Sequence, residues 1–177
     1  LIFSATAEDF AGDALAAEFA ALPPHVLLCL YLALPDTSAA RPLSPGIPDE
    51  CFLREKTPLT KRQIRAAALT LLGVREDAVC WDIVSGTGGM TAELAMAAPR
   101  GEVLAVECDA AAYALTEKNV RRFALSQVKQ YFGRAPEGLA ELPKPDCVFV
   151  GGSTGEMAAI FTAVFEKNPA ARVVATA

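Results

Sequence analysis

A glycine-rich turn between a short apolar run and a helix-forming segment most constrains the fold of this chain. Residues 79–84 (VCWDIV) are apolar and partly β-branched, which predicts a buried strand. Residues 85–89 (SGTGG) follow as a turn, and residues 90–98 have helix-forming composition. Glycines let the backbone approach a ligand closely, and a helix N-terminus offers unpaired N–H groups. The order of strand, glycine turn and helix predicts a nucleotide-binding unit.

The next predicted strand ends in an acid that fits such a unit. Residues 103–106 form a second apolar run, and Glu107 follows directly. Glu107 lies about 20 residues beyond Gly88, which is the spacing expected of a carboxylate that binds a ribose. We therefore expect Glu107 to bind the sugar of a nucleoside cofactor.

The residues of the turn favour one cofactor pattern over another. The dinucleotide pattern G-x-G-x-x-G/A fits badly, because Thr91 occupies its last position when Gly86 is the first. The S-adenosylmethionine pattern, an acid followed by x-G-x-G-x-G, accounts for Asp82 but has Val84 in place of its first glycine. A valine there is strained if its φ is positive; in extended geometry it would instead crowd the pocket.

Strands and helices alternate through the rest of the chain. Thr60 and Gln63 form a capping box, which predicts a helix that ends at Gly73 and buries Ile64, Ala67, Ala68, Leu71 and Leu72. Further strands are predicted over residues 128–132, 147–150 and 172–176, and further helices over 110–123, 136–142 and 156–165. This alternation predicts an α/β fold with a doubly wound parallel sheet in the order 3-2-1-4-5.

The N-terminal residues differ in composition from this core. Residues 8–22 predict a helix, residues 26–34 (VLLCLYLAL) a strand, and the Pro-rich residues 36–48 a linker. We expect a domain boundary there. The chain begins at Leu1 and stops just after the fifth predicted strand. We therefore expect a fragment cut at both ends, with an exposed edge strand that promotes association.

Charge, cysteine content and hydropathy exclude several functions. The net charge of −5 argues against a nucleic-acid-binding surface. A single His and cysteines without C-x-x-C spacing predict reduced thiols in a cytoplasmic protein with no metal site; these cysteines are Cys29, Cys51, Cys80, Cys108 and Cys147. No apolar run approaches the ~20 residues that span a bilayer, so we expect no membrane association.

Five short motifs occur together in a characteristic order. They are residues 46–52 (GIPDECF), 60–62 (TKR), 81–83 (WDI) with the glycine turn, 133–136 (GRAP), and 150–156 (VGGSTGE). From about Gly46 onward the chain resembles the decarboxylating C15-methyltransferases of cobalamin (vitamin B12) biosynthesis, the C-terminal half of precorrin-6Y C5,15-methyltransferases. The resemblance implies a Rossmann-like class I S-adenosylmethionine-dependent methyltransferase domain over residues 46–177 that lacks its last strands. Residues 1–45 more weakly resemble the tail of a preceding C5-methyltransferase domain plus linker.

The resemblance also implies a ligand set. S-adenosyl-L-methionine is the implied cofactor, bound by Thr60, Val84, Ser85, Gly86, Thr87, Gly88, Glu107 and Ala135. The implied substrate is a precorrin, a tetrapyrrole, held near Gly151, Gly152 and Ser153, and the implied assembly is a homo-oligomer, a tetramer. Methyl transfer is accompanied by decarboxylation of an acetate side chain. No residue is identified as catalytic.

Several of these assignments have alternatives that the sequence leaves open. Thr60 is equally a helix cap, and a plain strand-to-helix turn is the alternative for the segment Gly151–Ser153. The basic residues Arg54, Lys56, Lys61 and Arg62 either meet substrate carboxylates or form a solvated charge run. Arg134 replaces an Asp that accepts from the adenine amino group in many methyltransferases. A methyltransferase with another substrate, or an inactive cofactor-binding module, therefore remains an alternative function.

Overall fold

The residues described by the computed structural model, 44–152 and 155–176, form a parallel sheet with helices on both faces. The strands are β1 (Val79–Ile83), β2 (Glu102–Glu107), β3 (Val128–Phe132), β4 (Cys147–Val150) and β5 (Arg172–Ala175). The helices are α1 (Arg62–Leu72), α2 (Gly89–Ala97), α3 (Ala110–Arg122) and α4 (Met157–Lys167). The strands lie in the order β3-β2-β1-β4-β5 and all pairs are parallel, so the predicted sheet and its order are confirmed.

Alternate residues of the central strands pack on opposite faces of the sheet. On β1, Cys80 belongs to the core beneath α1 and α2, whereas Trp81 belongs to the core beneath α4. On β4, Phe149 belongs to the core beneath α1 and α2, and Val150 belongs to the core beneath α4. Because both faces are covered, the central strands are apolar throughout, as expected of a parallel sheet. The buried carboxyl group of Asp82 is an exception on β1.

Helix α1 differs from its prediction at its start and on its buried face. Lys61, not Thr60, is the N-cap residue, and no side chain caps the helix, so the predicted capping box is wrong. The buried face consists of Arg65, Ala68, Leu69 and Leu72, while Ile64, Ala67 and Leu71 are exposed. The helix turns an arginine inward because two acids surround its guanidinium group. Gly73 ends the helix with a φ of 52°, as predicted.

Other predicted elements have mixed outcomes. Residues 136–142 contain only a short 3₁₀ turn, Glu137–Leu139, in place of the predicted helix. The predicted helix over residues 8–22 and strand over 26–34 lie outside the described residues. Within the described ranges, no helix has the length and apolar character needed to cross a membrane. The carboxyl ends of β1, β2 and β4 meet at one edge of the sheet, where the loops that follow them gather.

Candidate functional site

Two cavities lie at the carboxyl ends of β1, β2 and β4. The larger, of about 630 Å³, lies between the glycine turn and residues 56–60. The smaller, of about 310 Å³, lies beside residues 133–135, after β3. Val84 and Glu107 line both cavities. The two cavities are therefore halves of one elongated site, with these two residues at its middle.

Most of the residues predicted from the sequence line this site. The larger cavity is bordered by Thr60, Val84, Ser85, Gly86, Thr87, Glu107 and Gly151. The smaller is bordered by Val84, Glu107, Ala135 and Gly152. Gly88 lines neither cavity, and Ser153 lies outside the described residues. The fold thus brings together residues that are up to about 90 positions apart in the chain.

Val84 has a left-handed backbone conformation. Its φ is 62°, so the alternative of extended geometry is wrong and the strained one is correct. The left-handed region costs a non-glycine residue about 1–2 kcal/mol, because Cβ approaches the following carbonyl oxygen. The Val84 N–H donates to the carbonyl oxygen of Val106 at 3.0 Å, which ties the turn to the end of β2. The side chain, 41% exposed, stands where the two cavities meet.

The Glu107 carboxylate anchors the loops around the site. Its Oε2 accepts from the Gly86 N–H at 2.9 Å, and its Oε1 accepts from the N–H groups of Cys108 and Asp109 at 2.8 and 2.9 Å. An ionised carboxylate offers about four acceptor positions, so these three bonds leave capacity for a ligand hydroxyl. The sequence predicted a ligand contact at Glu107 but not this second role in holding the glycine turn.

The larger cavity contains two buried polar atoms without a partner. Asp82 Oδ2 accepts from the hydroxyl of Thr91, but Asp82 Oδ1 and Ser85 Oγ have no hydrogen-bond partner among the described residues. Burial raises the pKa of Asp82 to about 7; the charge of Glu107 adds to this, and the hydrogen bonds from Thr91 oppose it. Buried polar groups are rarely left unsatisfied in native proteins. These two atoms therefore point to a ligand or water in the cavity.

Helix α3 holds the glycine turn through two side-chain hydrogen bonds. Thr116 Oγ1 donates to the carbonyl oxygen of Gly86 at 2.8 Å, and Asn119 Nδ2 donates to that of Thr87 at 2.9 Å. A Cβ at Gly88, whose φ is 79°, would lie 3.0 Å from Thr116 Cγ2. Gly88 therefore permits close packing of α3, and it lines neither cavity. The sequence analysis missed both polar residues, although they share the inward face of α3 with Leu115.

The segment before α1 is tied down by the buried carboxylate of Glu93 on α2. Glu93 accepts from the N–H groups of Gly46 and Ile47, at 3.0 and 2.8 Å, and from the hydroxyl of Ser44 at 2.8 Å. The first two backbone N–H groups of the GIPDECF motif therefore both donate to this one carboxylate. This structural role was not predicted from the sequence.

Arg65 completes this buried network. Its Nε lies 3.4 Å from Glu93 Oε1, and one terminal nitrogen lies 2.8 Å from Asp49 Oδ1. Its terminal nitrogens also donate to the carbonyl oxygens of Thr60 and Ile47. Because Thr60 borders the larger cavity, Arg65 holds the wall of the site without touching the cavity itself.

The two glycines after β4 differ in their surroundings. A Cβ at Gly151 would lie 2.6 Å from the carbonyl oxygen of Val84, so this glycine is required by close packing against the turn. Gly152 has a φ of 131°, and a Cβ there would meet no atom within 4 Å. A side chain would therefore clash at position 151, whereas the space around Gly152 is open.

The chain resembles precorrin methyltransferases along most of its length. The family model of the precorrin methyltransferase domain matches residues 50–177. A probable cobalt-precorrin-6B C(15)-methyltransferase (decarboxylating) of Pyrobaculum calidifontis is 42% identical over 135 residues, which are 75% of this chain and 69% of that protein. A precorrin-6Y C(5,15)-methyltransferase [decarboxylating] of a Sinorhizobium species is 29% identical over 154 residues; the match covers 87% of this chain but 37% of that longer protein.

Solved structures agree with these sequence matches. The precorrin-6y C5,15-methyltransferase from Geobacter metallireducens superposes with a TM-score of 0.71 at 34% identity, over 75% of this chain and 71% of that one. The precorrin 8w decarboxylase from Methanobacterium thermoautotrophicum superposes with a TM-score of 0.69 at 34% identity, over 74% of this chain and 72% of that one.

Proposed function

Because this chain belongs to the precorrin methyltransferase family, we propose that it transfers a methyl group from S-adenosylmethionine to C15 of a precorrin. We propose further that it promotes decarboxylation of an acetate side chain, as a step of cobalamin biosynthesis. The observation that carries the proposal is the family match over residues 50–177, which includes every residue that lines the two cavities.

The residues of the site suit this cofactor. The unpartnered Oδ1 of Asp82 and Oγ of Ser85 in the larger cavity can accept hydrogen bonds from the ammonium group of a methionine moiety. The remaining acceptor capacity of Glu107 suits ribose hydroxyls. Ala135 and Gly133 are small and leave the smaller cavity free for a flat purine. The polar part of the ligand would thus lie in the larger cavity and the base in the smaller.

The contribution of the protein to the reaction is chiefly positional. When bound, S-adenosylmethionine supplies a methyl group that a sulfonium already activates. The residues of the site hold donor and acceptor in line, which lowers the entropic part of the barrier. Gly86 keeps a side chain out of the larger cavity, Gly151 permits the close approach of the turn, and Gly152 leaves open space around it.

Val84 motivates a second candidate function, a module that binds the cofactor without turnover. Its strained backbone and its side chain between the two cavities both oppose a ligand that spans them. Arg134, which borders the smaller cavity, has only donors to offer to a purine ring. Both features lower the expected affinity for the cofactor.

A turnover assay tests the proposal. The protein is incubated with cobalt-precorrin-6B and S-adenosylmethionine, and mass spectrometry follows the gain of a methyl group and the loss of CO₂. We expect both changes. Calorimetric binding of S-adenosylhomocysteine without turnover of any precorrin would favour the second candidate, and absence of binding would contradict both. Light scattering on the same sample tests the further proposal of a homo-oligomer.

A further inference from the structure

Four basic side chains occur within nine residues of the chain, just before and at the start of α1. They are Arg54, Lys56, Lys61 and Arg62, and all four are exposed. None of them forms an ion pair with a carboxylate in the part of the chain that the structure describes. Lys56 borders the cavity itself. On a chain with a net charge of −5, this is a local excess of positive charge next to a binding site.

Two acids near Lys56 in the chain pair with other cations. Asp49 pairs with Arg65 at 2.8 Å, and Glu55 pairs with Lys118 at 3.0 Å. Asp109, which also borders the cavity, accepts the N–H of Ala112 at 2.8 Å as the N-cap of α3. The charge of Lys56 is therefore not neutralised by these neighbours.

The position of Lys61 and Arg62 does not favour the helix that they begin. They are the N-cap and the first residue of α1, where the positive end of the helix dipole makes cations unfavourable. The Asp49 carboxylate already offsets this disadvantage, because it lies near Lys61 and accepts from the Arg62 N–H. An independent feature points to a ligand in the larger cavity, because Asp82 Oδ1 and Ser85 Oγ, buried atoms of two residues that line it, have no partner among the described residues.

The larger cavity is thus acidic at one end and basic at the other. Asp82 and Glu107 are buried at the sheet, whereas Lys56 stands at the exposed side. A ligand with a cationic group at depth and a carboxylate at the opening matches this distribution of charge. A lysine suits such a contact, since its flexible stem carries a point charge that adapts to the position of the anion.

We infer that Lys56 binds a carboxylate group of the ligand held in the larger cavity. The inference rests on the proposed function, which supplies two sources of this chemistry. One is a carboxylate side chain of the tetrapyrrole acceptor, and the other is the carboxylate of the methionine moiety of the cofactor. The experiment separates the two sources.

The test compares three ligands on the full 177-residue chain. Uroporphyrin is a stable tetrapyrrole with many carboxylates, S-adenosylhomocysteine carries the methionine carboxylate, and methylthioadenosine lacks it. Lys56→Gln removes the charge and Lys56→Arg retains it. Lys144→Gln, a change at another exposed lysine in the loop before β4, is the matched control. Dissociation constants are measured by porphyrin fluorescence and by calorimetry, at low and at raised salt.

We expect Lys56→Gln to weaken the binding of one carboxylate-bearing ligand about fivefold, an effect that raised salt reduces. Lys56→Arg and Lys144→Gln should bind as the wild type does. Weaker uroporphyrin binding identifies the acceptor as the source, whereas weaker S-adenosylhomocysteine binding with unchanged methylthioadenosine binding identifies the cofactor. If the wild type binds these ligands and Lys56→Gln binds them equally well, the inference is wrong while the proposed function stands. A wild type that binds none of them contradicts both.

Discussion

The guanidinium group of Arg65 and the carboxylate of Glu93, both fully buried, lie 3.4 Å apart between α1 and α2. Through this pair, the two helices hold the segment that contains the GIPDECF motif and, beyond it, the wall of the larger cavity. Buried charges are costly to desolvate, and these two are compensated by each other and by backbone groups. The pair therefore contributes both to the stability of the domain and to the shape of its site.

Replacing Arg65 by Met should destabilise the protein by about 3–5 kcal/mol, because Glu93 would remain buried without its counter-ion. Urea unfolding measures the loss. The double variant Arg65→Met, Glu93→Met should be more stable than the single variant, since no unpaired charge remains. Arg121→Met, which removes an exposed pair with Glu117, is the control and should change stability little. Equal stability of the single variant and this control would refute the role of the pair.

Replacing Val84 by Gly should stabilise the protein by about 1 kcal/mol and tighten S-adenosylhomocysteine binding. The change relieves the left-handed strain and removes the side chain between the two cavities. Ala124, with a φ of 52° and a position outside both cavities, offers a matched control. Ala124→Gly should relieve similar strain without altering affinity. If Val84→Gly bound the ligand no more tightly, the valine would be an accommodated part of the site.

Replacing Glu107 by Ala should weaken S-adenosylhomocysteine binding at least about tenfold, since hydrogen bonds to a charged acceptor contribute about 1.5–3 kcal/mol each. The same change removes the acceptor of the Gly86 N–H and should lower stability as well. Calorimetry measures the affinity, and thermal unfolding the stability. Glu102→Ala, at the opposite end of β2, is the control and should leave the affinity unchanged. An unchanged dissociation constant for Glu107→Ala would contradict the assignment.

Asp82 should make the stability of the free protein fall as the pH rises from about 4 to about 7. Its pKa in the folded protein is raised to about 7 by burial, against an ordinary value near 3.9 in the unfolded chain. Between these values the folded state retains a proton that the unfolded state has lost. Each rise of one pH unit therefore lowers the free energy of unfolding by as much as about 1.4 kcal/mol. Asp82→Asn should lack this slope. Urea unfolding of the wild type and of Asp82→Asn at several pH values measures this difference. If the stability of the two proteins changed with pH in the same way, Asp82 would not be the group responsible.

The sequence alone was sufficient for the parallel sheet, its strand order and the location of the glycine turn. These features depend on local signals, because apolar runs, glycine turns and amphipathic helices are encoded by neighbouring residues. The chirality and short connections of alternating strands and helices then restrict the order of the strands. Strands β3 and β4 have the bounds that were predicted.

Only the tertiary structure decided which residues support the site. Asn119 bonds to Leu53, 66 positions away, and Arg65 turns inward because Glu93 and Asp49 surround its guanidinium group. No local pattern predicts such contacts, and a hydrophobic-face rule places Arg65 on the wrong side of α1.

The conformation of the turn was decided in the same way. Val84, whose φ is positive, donates to the end of β2, and a side chain at Gly151 would clash with the carbonyl oxygen of Val84. Both depend on strands that are adjacent in space and distant in sequence. Local propensities therefore determined where the site lies, and packing between distant segments determined its strain, its unpaired buried atoms and its charge.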